Sequence, residues 1–284
     1  MALDQVKGIA QRFLTRIYVD IFTRTKFRNL NNRVFNLTLK AKGFDNHTSN
    51  LEKSGEAAVL RRLKLLDIKV FIDVGAHRGT YIEWCLSNSN AKVVAFEPLP
   101  IPYKNLRLKY SGDRRVILYN VALGRKKTKS KITFNGDFDP TASLSNTVFK
   151  VPGVGTRHSK HLIVEVDTLD GISNELIRQR KIASIDLIKI DTEGFEGEVL
   201  EGARSVLQKY KPKAVIMEWN RHQLYSGLTL LKLSEFFFPE YQIFRIMPGE
   251  RSPYPVNLTL PEEHICQYAN YVFVRKEYVA TFLK

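Results

Sequence analysis

The sequence predicts a doubly wound α/β fold, with a seven-stranded sheet covered by helices on both faces and a basic helical extension ahead of it. Three observations predict it. From residue 54 onward, helical and strand-like segments alternate, the pattern of a largely parallel sheet with helices packed on either side. The stretch FIDVGAHRGTY (71 to 81) reads as a strand that runs through a glycine-bearing turn into a helix. Residues 1 to 43 carry nine Lys/Arg against Asp4 and Asp20, a net +7 concentrated before the alternation begins.

Taken in order, the extension comes first. Leu3, Val6, Ala10, Phe13 and Ile17 recur at spacings of three and four, giving one apolar helical face, with Lys7, Arg12 and Arg16 off it. Such a face suits a membrane surface, a second copy of the chain, or simply the chain's own body. Residues 43 to 50 (GFDNHTSN) are rich in turn formers, so the extension is assigned to 1–47 and the main domain to 48–284. Next come a helix near 55 to 66 and strands at Val70–Val74, Val93–Phe96, Val116–Val121, Leu187–Ile190, Val215–Glu218, Tyr241–Ile246 and Tyr271–Val274. One helix is expected after residue 193, because Phe195, Val199, Leu200, Ala203, Val206 and Leu207 make a single stripe ending before Lys211 and Pro212. Residues 125 to 166 fit the alternation poorly and are expected to form a hairpin-containing insertion.

The whole chain of 284 residues carries a formal charge of +15, which favours anionic partners such as a phosphorylated or acidic substrate, nucleic acid or anionic lipid. Two cysteines, Cys85 and Cys266, make neither a disulfide framework nor a metal quartet. No apolar run reaches bilayer length and the N-terminus lacks a signal-peptide pattern, so the expected location is cytoplasmic, with peripheral membrane contact through residues 1–43 as its one extension.

The chemistry is expected at the carboxyl ends of the strands, where open α/β sheets bind ligands. In the first turn, Gly75 and Gly79 allow close backbone approach, the N–H groups of Ala76, His77 and the helix start can hold an anion, and Thr80 with Glu83 has capping-box spacing. Asp73 stands two residues before the first glycine. The turn thus reads D-x-G-x-x-x-G and not G-x-G-x-x-G, and the acid suits the ammonium of an amino-acid-bearing cofactor better than a pyrophosphate. Glu97, before Pro98, ends the second strand 22 positions beyond Gly75, where a doubly wound fold puts the acceptor for a ribose diol. The bland alternative is a carboxylate that merely solvates a strand end. Ala122 and Leu123, in NVALG, supply apolar surface for a purine at the end of the third strand, although an ordinary strand exit has the same composition. Asp191 and Glu193 end the fourth strand, Glu218 ends the fifth and His222 follows it; these four could converge on one cleft, or serve as caps and surface ion pairs.

The blocks FIDVGAHRGTY, VVAFEPLP, YNVALG, VEVDTLDGI, IDLIKIDTEGFEGEVLEGA and AVIMEWN, in this order from about Ser54 to Val274, resemble the FkbM-type methyltransferase family. The block at the end of the fourth strand, IDLIKIDTEGFEGEVLEGA with its D-x-E-G-x-E core, is distinctive of it. The resemblance implies the class I methyltransferase (Rossmann-like) sheet, mostly parallel with its last strand antiparallel. It further implies S-adenosylmethionine bound by Asp73, Gly75, Gly79 and Glu97, and O-methylation of a sugar, glycan or natural product. His77 departs from the asparagine common at its position.

Methyl transfer from a sulfonium needs alignment and exclusion of water, together with help in removing the proton of a weakly acidic hydroxyl. Asp191 or Glu193 is expected in that role, with Glu218 and His222 behind them. A metal-assisted variant through Asp191 and Glu218 lacks further evident ligands, and no metal is expected. A nucleic-acid methyltransferase is disfavoured because the fourth strand ends in Asp-Thr-Glu-Gly, without the Pro-Pro-aromatic element of base amino-group methylation. The glycine spacing disfavours a nicotinamide oxidoreductase, and the intact Asp73, Glu97 and Asp191 disfavour a non-catalytic scaffold.

Overall fold

The strand that opens the alternation is apolar at nearly every position, and in the computed structural model of the chain it lies inside the sheet, third from one edge. Residues 2–46, 48–136, 139, 141–145 and 160–284 are described, with side chains described from residue 11 onward. By internal contacts the chain divides into two compact units, Met1–Asp45 and Asn46–Lys284.

In the larger unit the strands are β1 (Val70–Val74), β2 (Lys92–Phe96), β3 (Val116–Tyr119), β4 (Ala122–Leu123), β5 (Thr128–Phe134), β6 (Lys160–Asp167), β7 (Leu187–Ile190), β8 (Ala214–Trp219), β9 (Tyr241–Arg245), β10 (Tyr254–Pro255) and β11 (Ala269–Arg275). The main sheet runs β3-β2-β1-β7-β8-β11-β9-β10. Pairings from β3 across to β8 are parallel, whereas β11 lies antiparallel between β8 and β9. All five residues of β1 and all four of β7 are buried, as strands covered on both faces require. One layer of the core joins β1 and β2 to helices on that face, through Leu60, Leu63, Phe71, Ile82, Val93 and Leu106.

All seven expected strands are present, and the sheet has an eighth. It is β10, two residues long, pairing Tyr254 with Arg245 and Pro255 with Phe244 at the sheet's edge. Two residues are too few for any periodicity, and a proline is tolerated there because an edge strand leaves one side unpaired.

Three local readings are corrected. The third strand stops at Tyr119; the Asn120 side chain donates to the Glu97 and Pro98 carbonyls at 2.8 and 3.0 Å, turning the chain so that Ala122 and Leu123 enter a second sheet. That sheet, β4-β6-β5, is the expected hairpin-containing insertion, with β5 and β6 antiparallel; residues 146–159 of the insertion lie outside the described residues. The single stripe after residue 193 forms two helices, Glu196–Glu201 and Arg204–Lys209. Between them, a Cβ on Gly202 would sit 2.0 Å from the Gly124 carbonyl oxygen, so close packing of backbones outranks helix continuity. The Thr80/Glu83 capping box does not form. Gly79, at φ +77, is the cap of helix Thr80–Asn88 without a side-chain bond, and Glu83 instead takes the Lys109 ammonium at 2.6 Å.

The smaller unit consists of helix Ala2–Phe22, a 3-10 turn Thr25–Phe27 and helix Arg28–Ala41. Tyr18 and Phe22 stack at 4.6 Å between ring centres, and the Asn31 amide donates to the Phe22 carbonyl at 2.7 Å, fixing the joint between the two helices. The side chains of Leu3, Val6 and Ala10 lie outside the described residues. Phe13 is 63% exposed, and Ile17 is also exposed. Among the described residues, no helix is long and apolar enough to cross a membrane.

Candidate active site

Strand order reverses between β1 and β7, opening a crevice at the carboxyl edge. Gly75 follows β1 at φ +84, and a Cβ there would meet the Asp191 carbonyl at 2.0 Å. The glycine is therefore required by the neighbouring strand end. A cavity of about 360 Å³ occupies the crevice, inside the range of small-molecule sites.

Gly75, Ala76, His77, Thr80, Glu97, Pro98, Ala122, Leu123, Asp191, Glu193 and Glu218 all line this cavity. Three expected residues do not. Asp73 is buried beneath the wall, Gly79 packs where a Cβ would strike Leu106 Cδ2 at 2.6 Å, and His222 lies behind Glu193. The sequence reading missed Lys189, Glu56 and Tyr268, which also line the cavity. Lys189 alone had a signal: it is the one charge inside an otherwise apolar strand.

At one end of the cavity Glu97 closes the first turn. Its carboxylate accepts from the His77 N–H at 2.8 Å and from the Leu99 N–H at 2.9 Å, so it organises the turn and the β2 exit as well as facing the cavity. Burial pushes its pKa up to about 7, against the two backbone donors. Val121, Leu123, Ile132 and Leu144 give this end an apolar wall.

At the other end Lys189 reaches up from β7. Its ammonium lies 3.1 Å from Asp191, 3.9 Å from Asp73 and 4.9 Å from the centre of the Tyr81 ring. Burial opposes the charge, but Asp191 and Asp73 outweigh it and hold the lysine above its ordinary pKa. Among the described residues Asp73 has no hydrogen-bond partner, and burial raises its pKa to about 6 with Lys189 pulling the other way. Glu56 is also raised by burial and is bonded to Ser54 at 2.6 Å and to the Tyr81 hydroxyl.

Asp191, Glu193 and Glu218 present carboxylate oxygens within 4.8 Å of one another. Burial, and then the neighbouring acids, drive Glu193 and Glu218 well above the carboxylate range. Glu193 has φ +54, and the loop holding it is built on buried Glu196. Glu196 accepts from the backbone N–H groups of Thr192 and Gly194, and from the Gln223 amide at 2.8 Å. Asn220 ties the next strand end in, donating to Glu218 at 2.6 Å and accepting from the His222 N–H at 2.8 Å. Burial, then Arg221, lowers the His222 pKa to about 4, so the ring is neutral near pH 7.

The donor set fits S-adenosylmethionine. A carboxylate for a diol and an apolar wall for a purine lie at one end, and acids for a cationic sulfonium and ammonium at the other. Together with the sheet order and the antiparallel β11, this defines a class I S-adenosylmethionine-dependent methyltransferase. The Methyltransferase FkbM domain matches residues 73–242, and the chain belongs to that family. It is 29% identical over 197 residues to the hexuronic acid methyltransferase AglP of Haloferax volcanii, covering 64% of this chain and 75% of that one. To the 2-O-methyltransferase NoeI of Sinorhizobium fredii it is 25% identical over 189 residues, covering 63% and 74%. Among solved structures, an O-methyltransferase from Bacillus cereus in complex with SAH aligns over 92% of this chain and 96% of that one, at 11% identity and a TM-score of 0.43.

Glu97 sets a pH dependence. Unfolded, it titrates near 4.3; folded, near 7. Between these values the folded chain binds more protons, so its contribution is full at low pH and is lost as pH rises through 7. Denaturant unfolding of the cofactor-free chain should therefore show wild type losing on the order of 3 kcal/mol relative to Glu97→Gln between about pH 5 and about pH 8. Parallel pH curves would mean Glu97 is ionised throughout.

Proposed function

We propose that the chain transfers a methyl group from S-adenosylmethionine to a hydroxyl of a sugar, glycan or natural product, and that this acceptor is anionic. The observation that carries the proposal is the division of one cavity into a diol-accepting end at Glu97 and a three-acid end at Asp191, Glu193 and Glu218. An acidic acceptor is supported by the +15 charge and by the relative whose name specifies a hexuronic acid. O-methylation is supported by the relative named a 2-O-methyltransferase.

When bound, S-adenosylmethionine would supply a methyl on positively charged sulfur, activated toward an attacking hydroxyl oxygen, with the neutral thioether as leaving group. The protein's residues do the rest. Glu97 would receive the ribose hydroxyls, the backbone of Gly75, Ala76 and His77 with Thr80 would border the polar chain, and Pro98, Ala122 and Leu123 would pack about the base. Asp191 or Glu193 takes the hydroxyl proton, with Glu218 beside them. His222 acts through Glu193 as a positioning residue, since it does not face the cavity. Asp73 is assigned to holding Lys189, and Gly79 to seating the first helix, so neither need touch the cofactor. The boundary 1–47/48–284 is retained as the division between extension and catalytic domain.

A second reading concerns the extension. Phe13, Leu14, Phe35 and Leu37 are each more than half exposed on helices that also carry Arg12, Arg16, Arg28 and Arg33. Apolar side chains amid excess positive charge suit an anionic membrane surface, which would bring the enzyme to a lipid-linked acceptor.

Two outcomes are expected. By calorimetry, Glu97→Ala should weaken S-adenosylmethionine binding, whereas Glu193→Gln should leave it nearly intact and lower turnover by about 100 to 10,000-fold. Unchanged affinity in the first and unchanged turnover in the second would remove both assignments. In co-sedimentation, the full chain should bind phosphatidylserine vesicles in a salt-sensitive way, and the double substitution Phe13→Asp with Leu14→Asp should abolish that binding. If the vesicles are ignored and the double variant turns a dimer into a monomer, the face belongs to a second copy.

A further inference from the structure

Three carboxylates meeting at the cavity wall, Glu218 buried and Asp191 and Glu193 partly so, need compensation, because each raises the cost of ionising the others. Asp191 has the Lys189 ammonium at 3.1 Å. Among the described residues, neither Glu193 nor Glu218 is paired with a lysine or arginine. Their oxygens, with one of Asp191, lie within 4.8 Å of one another. Two oxygens bound to one magnesium-type cation at about 2.0 to 2.2 Å can be no more than about 4.0 to 4.4 Å apart, so the three need close by only about half an ångström to share an ion.

A separate observation points the same way. His222 is 6% exposed, and its Nδ1 has lost water without gaining a hydrogen bond among the described residues. That nitrogen is aimed at the group, 3.5 Å from Glu193 Oε2, just too far for a good bond. A cation drawing the carboxylates together would let the imidazole close on Glu193 as a brace, the usual arrangement behind a metal-bound carboxylate.

We infer that Asp191, Glu193 and Glu218 bind one hard divalent cation, of the magnesium or manganese type, with His222 as the positioning residue behind Glu193. An all-oxygen set at the cavity wall selects such ions over softer ones. Three protein ligands leave coordination positions open toward the cavity, so the cation is placed to take two neighbouring oxygens of the acceptor. This favours vicinal diols or hydroxy acids among sugar acceptors. The inference deepens the methyltransferase reading and rests on it for the acceptor, while the cation site stands on the residues alone.

Mn²⁺ serves as the probe, added as MnCl₂ to the full chain and followed by loss of the free-ion electron paramagnetic resonance signal. One Mn²⁺ per chain is expected, with affinity lower by about tenfold or more in Glu218→Gln and in His222→Ala. Circular dichroism checks that each variant is folded; if Glu218→Gln is not, Asp191→Asn gives the same readout. No Mn²⁺ bound at millimolar concentration, or binding unchanged in the folded variants, overturns the inference. Full methyl transfer in excess EDTA, with cofactor binding intact, also overturns it and leaves the methyltransferase reading standing. Loss of cofactor binding in a chain that still takes Mn²⁺ strikes the methyltransferase reading and leaves the cation site.

Discussion

The carboxyl edge of the sheet is organised about a single buried ammonium. Lys189 stands between Asp73 and Asp191, against the Tyr81 ring. With it, buried Asp73 and partly exposed Asp191 have a counter-charge; without it, Asp73 would be uncompensated in a place water barely reaches. The lysine also fixes distance. Its strand, β7, pairs with β1 in register from Phe71 to Val74, so the ammonium is delivered to the point where β1 turns away. The crevice that holds the cavity is thus braced by charge from below.

Backbone packing braces it from the sides. Gly75 and Gly194 have positive φ, and at both a Cβ would collide, with the Asp191 carbonyl in the first case and the His222 Cβ in the second. Glu193 adopts left-handed geometry despite its side chain, a conformation that costs about 1 to 3 kcal/mol and persists where surroundings over-determine it. Those surroundings are the hydrogen bonds of Glu196, together with Ser143 of the insertion, whose hydroxyl donates to the Glu193 carbonyl at 2.7 Å. The insertion therefore helps set the acceptor end of the cavity, besides contributing Ile132 and Leu144 to its wall.

What the sequence made legible was what chain-local pattern encodes. The apolar runs located the seven longer strands, and the separation of Gly75 from Glu97 located two residues of one cavity wall. Tertiary constraints were hidden. Gly202 splits a continuous apolar stripe because another backbone passes beside it, and Ala122 and Leu123 change sheets because Asn120 bonds back to the β2 exit. Asp73 does not itself line the cavity, and its position along the chain says nothing of the Lys189 ammonium 3.9 Å away. Glu56 is far from every other site residue in sequence and carries no motif, so only the fold brings it to the cavity.

The central claim, that the site depends on the charge of Lys189, is tested most directly by denaturant unfolding of Lys189→Met beside wild type. Removing one partner from a buried pair costs about 3 to 5 kcal/mol. The account predicts a loss of that order near pH 8, shrinking toward pH 5 as protonation of Asp73, whose pKa is already raised to about 6, relieves the uncompensated charge. An unfolding curve that matches wild type at both pH values would contradict it.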